Sequence, residues 1–256
     1  MEIIDFHVHP LYDFQYNQHG VEINDGIFRD DLLACGVTRF CGSCIFTKID
    51  GRPLAEYESI VPELNRITLE KKELYGDCFI PGIHVHSAYV DLSCEEIEKY
   101  SKMGVRLIGE LVPYMMAWNA YATKEFLEIA DCAAACGMTL SLHPTKQEDM
   151  HEFCRLAPKN LNIVWAHFSA YGGYDHHMQL MKKHENVYFD ISAHGCDTVG
   201  AIAKAVKEIG SEKLLFGTDY PGIGPASDIA GVMFEDISDK DRENIFFGNA
   251  KRLLGL

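Results

Sequence analysis

No stretch of this chain resembles a membrane span, because its apolar runs fall well short of the roughly 18 residues that a span needs. The first 20 residues also lack a basic segment followed by an apolar stretch and a small-residue cleavage site, so a cytoplasmic location is expected. Basic residues are scarce, 23 against 38 acidic, for a formal net charge of -15. That balance repels polyanions and supplies no basic stripe, so no nucleic-acid partner is expected. No Ser/Gly/Pro-rich linker or low-complexity segment divides the 256 residues, which points to a single domain over 1–256. The nine cysteines are odd in number and scattered through a chain long enough to need no staples. That favours reduced thiols over a disulfide framework. Missing too is a glycine-rich nucleotide turn after the first apolar run, which weighs against an open doubly wound nucleotide-binding sheet.

What the chain does have is eight short runs rich in Val, Ile, Leu and Phe: 2–8, 38–45, 78–85, 105–112, 138–143, 162–168, 187–192 and 214–219. Segments with helical periodicity separate them, and alternation of strand and helix demands parallel strands joined by crossover helices. Gly36, Gly104, Gly137 and Gly210 each stand just before a run, where glycine fits the left-handed residue that ends a helix. Ser93 with Glu96 reads as a capping box. Eight such units close a (β/α)8 barrel, the expected fold.

Side chains alternate along a strand, so His7 and His9 at the end of the first run share a face, with Asp5 deeper on the same side. Other runs end in the same chemistry: Glu110 in the fourth, His143 in the fifth, His167 in the sixth and Asp219 in the eighth. In a barrel the C-terminal ends of all strands open at one mouth, so these six groups would surround one point. Buried carboxylates and imidazoles need compensation, and a divalent cation supplies it. Nitrogen and oxygen donors suit zinc, with Mn, Fe(II) or Ni able to use the same geometry.

The segments "DFHVHP", "LHP", "AHFS", "LLFGTDYP" and "IFFGNAKRLLGL" together resemble the amidohydrolase superfamily, especially its amidohydrolase-2 branch of hydrolases and decarboxylases, over the whole chain. The resemblance implies metal held by His7, His9, His143 and Asp219, with His167 a ligand or an acid/base. Where related hydrolases carry a carbamylated lysine at the end of the fourth strand, this chain has Glu110, similar to the glutamate of TatD-like nucleases. A bridging Glu110 would admit a second cation bound also by His143 and His167.

The expected activity is hydrolysis of a small amide, ester or lactone by cation-activated water, with Asp219 moving the proton and His167 stabilising the oxyanion. Three alternatives stand beside it: nonoxidative decarboxylation of a carboxylated ring or muconate-like acid, TatD-like nuclease activity, and a catalytically silent metal-binding barrel. Self-association into a homo-oligomer is left open. The loops 113–122, 170–179 and 220–228 combine aromatics with glycines and are expected to wall the pocket. Among the remaining histidines, His84, His86 and His194 read as structural or substrate-contacting, while His176 and His177 read as an exposed helix start. Arg106 is a candidate partner for Glu110. Asp190 faces inward, and Cys41, Cys44, Cys132 and Cys136 read as packed thiols.

Overall fold

The computed structural model describes residues 1–11, 16–18, 21–45 and 53–256. Each apolar run contributes one strand: β1 Ile4–Val8, β2 Arg39–Gly42, β3 Phe79–Ile83, β4 Leu107–Leu111, β5 Thr139–Leu142, β6 Asn162–Trp165, β7 Val187–Asp190 and β8 Leu214–Leu215. All neighbours are parallel and lie in chain order. The last strand returns to the first through the segment after β8. Phe6 N–H donates to Phe216 O at 2.8 Å, Asp219 N–H to His7 O at 2.8 Å and His9 N–H to Tyr220 O at 2.8 Å. The result is the expected (β/α)8 barrel.

A helix follows each strand: α1 Asp25–Ala34, α2 Tyr57–Tyr75, α3 Val90–Lys102, α4 Lys124–Ala135, α5 Gln147–Leu156, α6 Tyr174–Lys183, α7 Ala201–Ile209 and α8 Pro225–Met233. Gly36, Gly104, Gly137 and Gly210 take φ between 64° and 95°, so the helix exits are where their glycines mark them. The capping box does not form. Helix α3 begins at Val90, and Ser93 Oγ instead exchanges hydrogen bonds with the His86 backbone, while Glu96 accepts from Asn65 and Lys99. A short hairpin, Tyr16–Gln18 with Val21–Ile23, adds an element between β1 and α1 that the periodicity does not reveal.

The main core lies between the strands and the helices, where Phe28, Phe40, Phe79, Phe126, Phe153, Trp165, Phe189 and Phe216 are all sealed from solvent. Each large apolar side chain so buried stabilises the fold by about 1.5–3 kcal/mol. A second cluster joins Ile4, Phe6, Leu107, Val164 and Leu215 to Leu253 and Leu254 of the helix Asn249–Leu254. Thr139, the first residue of β5, donates to Leu253 O at 3.2 Å, so this helix closes the barrel at the end opposite the strand C-termini. Cys41 and Cys44 are buried as expected. Cys132 is not a packed free thiol: it forms a disulfide with Cys94, joining α4 to α3 across a Cα separation of 5.7 Å. Two helices adjacent in the outer ring bring the pair within reach, a proximity that sequence spacing does not show.

Candidate metal centre

The six expected groups converge. His7 Nε2 lies 3.1 Å from His9 Nε2 and 3.1 Å from Glu110 Oε2. His9 Nε2 is 3.2 Å from the same Glu110 oxygen and 3.1 Å from Asp219 Oδ1. The other carboxylate oxygen of Glu110 faces a different pair, with His143 Nδ1 at 3.0 Å and His167 Nε2 at 3.5 Å. These last two nitrogens are 3.3 Å apart. Glu110 is thus shared between two donor sets, one oxygen to each.

Strand alternation alone does not bring these groups together. Gly109, at φ 103°, turns the chain just before Glu110, and a Cβ there would overlap Ser141 O, so only glycine fits. His167 and Asp219 take positive φ, 63° and 69°, a region that histidine and aspartate enter more readily than most residues. Gly217 leaves room for the histidine pair, since a Cβ at that position would stand 2.8 Å from His7 Cβ.

Behind the cluster the hydrogen bonds fix which ring nitrogen faces it. His7 Nδ1 donates to Asp190 Oδ2 at 3.0 Å. The Oδ1 atom of Asp190 accepts from His167 N at 3.2 Å, from Ser192 N at 3.0 Å and from Ser192 Oγ. Ser192 Oγ also contacts His167 Nδ1 at 2.9 Å. With its Nδ1 proton committed, His7 presents a lone pair to Glu110 Oε2 and His9 Nε2. Lone pairs facing lone pairs repel, and a positive charge between them resolves the conflict. The donor set therefore suits a divalent cation.

In the cation-free protein a second proton on His7 supplies that positive charge. Burial opposes charge on His7, but the Glu110 and Asp190 carboxylates outweigh it and raise the His7 pKa well above the usual range. Burial likewise opposes ionisation of Glu110, yet His7 and His143 hold its pKa well below the usual range. Burial pushes Asp219 up, while its bond to His9 and the charge of His7 pull it down further, so it stays ionised. Burial, partly offset by Glu110, lowers His167 and keeps that ring neutral.

A cavity of 190 Å³ opens over the cluster, lined by His9, Glu110, His143, His167 and Asp219 on the polar side. Leu11, Ile45, Val112, Met115 and Pro221 give it apolar walls, with Tyr114 edge-on to His143 at 5.4 Å. The loops after β4 and β8 supply wall residues, as expected. The loop after β6 supplies none among the described residues beyond His167.

Other candidates fall elsewhere. Asp5 is tied to Thr218, accepting from its N–H at 3.1 Å and its hydroxyl at 2.7 Å, and so stitches β1 to the segment after β8. Arg106 turns away from Glu110 and donates to Ser101 O and Val105 O. His86 uses both ring nitrogens, on Met116 O and Ala88 N, and pins the turn that carries Tyr114 and Met115. His194 is exposed and pairs with Asp197. His176 and His177 are not on an exposed helix start. Both are buried: Ser169 N–H donates to His177 Nδ1 at 3.2 Å, His177 stacks on Phe189 at 4.3 Å, and His176 meets His151 at 3.0 Å. Ser192, between His7 and His167, carries no mark in the sequence beyond its place in "DIS".

Fold and site together define a (β/α)8 barrel with a candidate metal-binding cluster at the mouth of its strands. The family model for amidohydrolases of the amidohydrolase-2 type matches residues 4–256, and the chain belongs to that family. No curated protein gives a match. Among solved structures the barrel is similar to 2,6-dihydroxybenzoate decarboxylase from Rhizobium, with 15% identity, TM-score 0.76, and coverage of 99% of this chain and 98% of that one. Dihydroxybenzoic acid decarboxylase from Polaromonas sp. JS666, with bound manganese and the inhibitor 2-nitroresorcinol, is similar at 15% identity and TM-score 0.76, covering 100% and 97%. So is 5-carboxyvanillate decarboxylase from Novosphingobium aromaticivorans, complexed with manganese and a nitrobenzoic acid, at 16% identity and TM-score 0.69, covering 89% and 79%. At these identities the likeness is one of fold.

Proposed function

We propose that this protein is a metal-dependent hydrolase of a small amide, ester or lactone. The observation that carries the reading is the division of Glu110, whose Oε2 faces His7 and His9 while its Oε1 faces His143 and His167. One carboxylate shared in this way suits two cation positions, the first completed by Asp219. Divalent cations bound there would lower the pKa of water to about 7 and polarise a carbonyl oxygen. Asp219 is ionised and lines the cavity, so it takes the proton of the attacking water and returns it to the leaving group. His167 is a neutral ring whose Nδ1 is occupied by Ser192, which suits a ligand better than a proton donor. Leu11, Val112 and Met115 keep bulk water from the acyl portion of the substrate. Zinc follows from the donor types, and manganese from the related structures.

The second reading is nonoxidative decarboxylation of an aromatic acid, favoured by the decarboxylase activity of the three similar barrels and by the apolar walls suited to a ring. One experiment separates the two. Protein with its cations measured by elemental analysis is offered esters, lactones, amides and dihydroxybenzoates, with acid release and CO2 followed in parallel. Hydrolysis with two equivalents of cation supports the first reading. CO2 from a hydroxybenzoate with one equivalent replaces it by the second, and protein that takes up no cation overturns both.

A further inference from the structure

We propose that Ser43 and His84, which do not line the cavity, are positioning residues: Ser43 holds the Gly109–Glu110 segment in place, and His84 orients the Ser43 hydroxyl that does so. The inference rests on the reading of the cluster as a cation site.

Ser43 directly follows β2 and is fully buried. Its Oγ lies 3.0 Å from Gly109 O and 3.0 Å from His84 Nε2. The carbonyl can only accept, so the hydroxyl proton goes to Gly109 O. The remaining contact then requires His84 to donate from Nε2 to the serine oxygen. This assigns the His84 tautomer: proton on Nε2, lone pair on Nδ1. The backbone that carries the ring is held in place. Asn65 clamps its backbone from both sides, accepting from His84 N at 2.6 Å and donating to His84 O at 3.1 Å.

Among the described residues the other ring nitrogen, His84 Nδ1, has no hydrogen-bond partner, so the bond to Ser43 Oγ is what the ring contributes. Through Ser43, the same ring steadies the backbone that presents Glu110. Outer partners of this kind change cation affinity by about 10- to 100-fold when removed.

Two measurements test this. In uniformly 15N-labelled wild-type protein loaded with Zn2+, imidazole nitrogen spectra should show His84 protonated on Nε2. The opposite tautomer at His84 overturns the proposal without any variant having to fold. Zn2+ titration of chelator-stripped Ser43→Ala and His84→Phe should then show affinity lowered 10- to 100-fold, with melting of the cation-free proteins within a few degrees of wild type. His84→Gln, whose amide N–H can donate to Ser43 Oγ, should recover part of the loss. Wild-type affinity in both Ser43→Ala and His84→Phe overturns the inference while the cation site stands. Absence of Zn2+ binding by wild type itself overturns the site reading instead.

Discussion

Asp190→Asn tests the hydrogen-bond logic of the centre with a change of one atom. Asp190 Oδ1 accepts from three donors, His167 N, Ser192 N and Ser192 Oγ, so the amide oxygen of asparagine must take that position. The amide nitrogen then occupies the place of Oδ2, 3.0 Å from His7 Nδ1. Two N–H groups cannot face each other at that distance, so His7 must move its proton to Nε2, toward Glu110 Oε2. A protonated Nε2 cannot ligate. Loss of an outer partner typically costs 10- to 100-fold in affinity, about 1.4–2.8 kcal/mol, and the inverted tautomer sets the expectation at the upper end. Calorimetric titration of chelator-stripped protein with Zn2+ or Mn2+ measures the loss directly. Because the other hydrogen bonds survive, the melting temperature of the cation-free variant should stay within a few degrees. Affinity within twofold of wild type would refute the assigned orientation of His7.

Three more perturbations probe the frame around the centre. Gly109→Ala adds a Cβ that overlaps Ser141 O at φ 103°, so denaturant unfolding should show a loss of about 3 kcal/mol or more, and unchanged stability would mean the backbone there is not as described. The Cys94–Cys132 bond closes a separation of 38 residues, for which chain entropy gives about 4 kcal/mol; a thiol-free double alanine variant as stable as the oxidised protein would contradict the pairing. Burial, with smaller contributions from the neighbouring rings of His176 and His167, lowers His177 to about 3, below the 6.5 of an unfolded histidine. The unfolded chain therefore binds the extra proton, and stability falls as pH drops from about 6.5 toward 3, by roughly 1.4 kcal/mol per unit. His177→Asn should flatten that slope, and an unaltered acid midpoint would assign the sensitivity to other groups.

The barrel was legible because its signal repeats: eight apolar runs, each followed by a helical period and several by a glycine exit, leave few other closed arrangements. The convergence of His7, His9, Glu110, His143, His167 and Asp219 was legible for the same reason, since each stands near or just beyond the C-terminal end of its strand. What alternation could not supply was orientation. Positive φ at Gly109, His167 and Asp219 breaks the two-residue period at the positions where the site is built, so parity arguments stop one residue short of it. Partners from elsewhere in the chain were equally hidden. Ser192 reaches His7 across 185 residues and Ser43 reaches Gly109 across 66, and neither distance leaves a local pattern. The misreading of His176 and His177 has the same origin: an amphipathic helix shows its polar face, but not which distant residues cover it, as Phe189, His151 and Ser169 do here.

Charge links the number of cations to the choice of substrate. Glu110, Asp219 and Asp190 bring three negative charges to the cluster, and all three are held low in pKa. Among the described residues that line the cavity there is no lysine or arginine to offset them. With His7, His9, His143 and His167 neutral as ligands, one divalent cation leaves the centre with a net charge of about -1, and two leave about +1. An aromatic carboxylate entering a net negative centre gains only from direct ligation, whereas a neutral ester or lactone is indifferent to the sign. The site therefore makes the two readings separable before any turnover is seen: with one cation per chain, a neutral acyl compound should bind more tightly than its benzoate counterpart of equal size. With two, the benzoate should gain and its affinity should weaken with added salt. A benzoate that binds a one-cation centre more tightly than the neutral compound would show that the field of the carboxylates does not select the substrate.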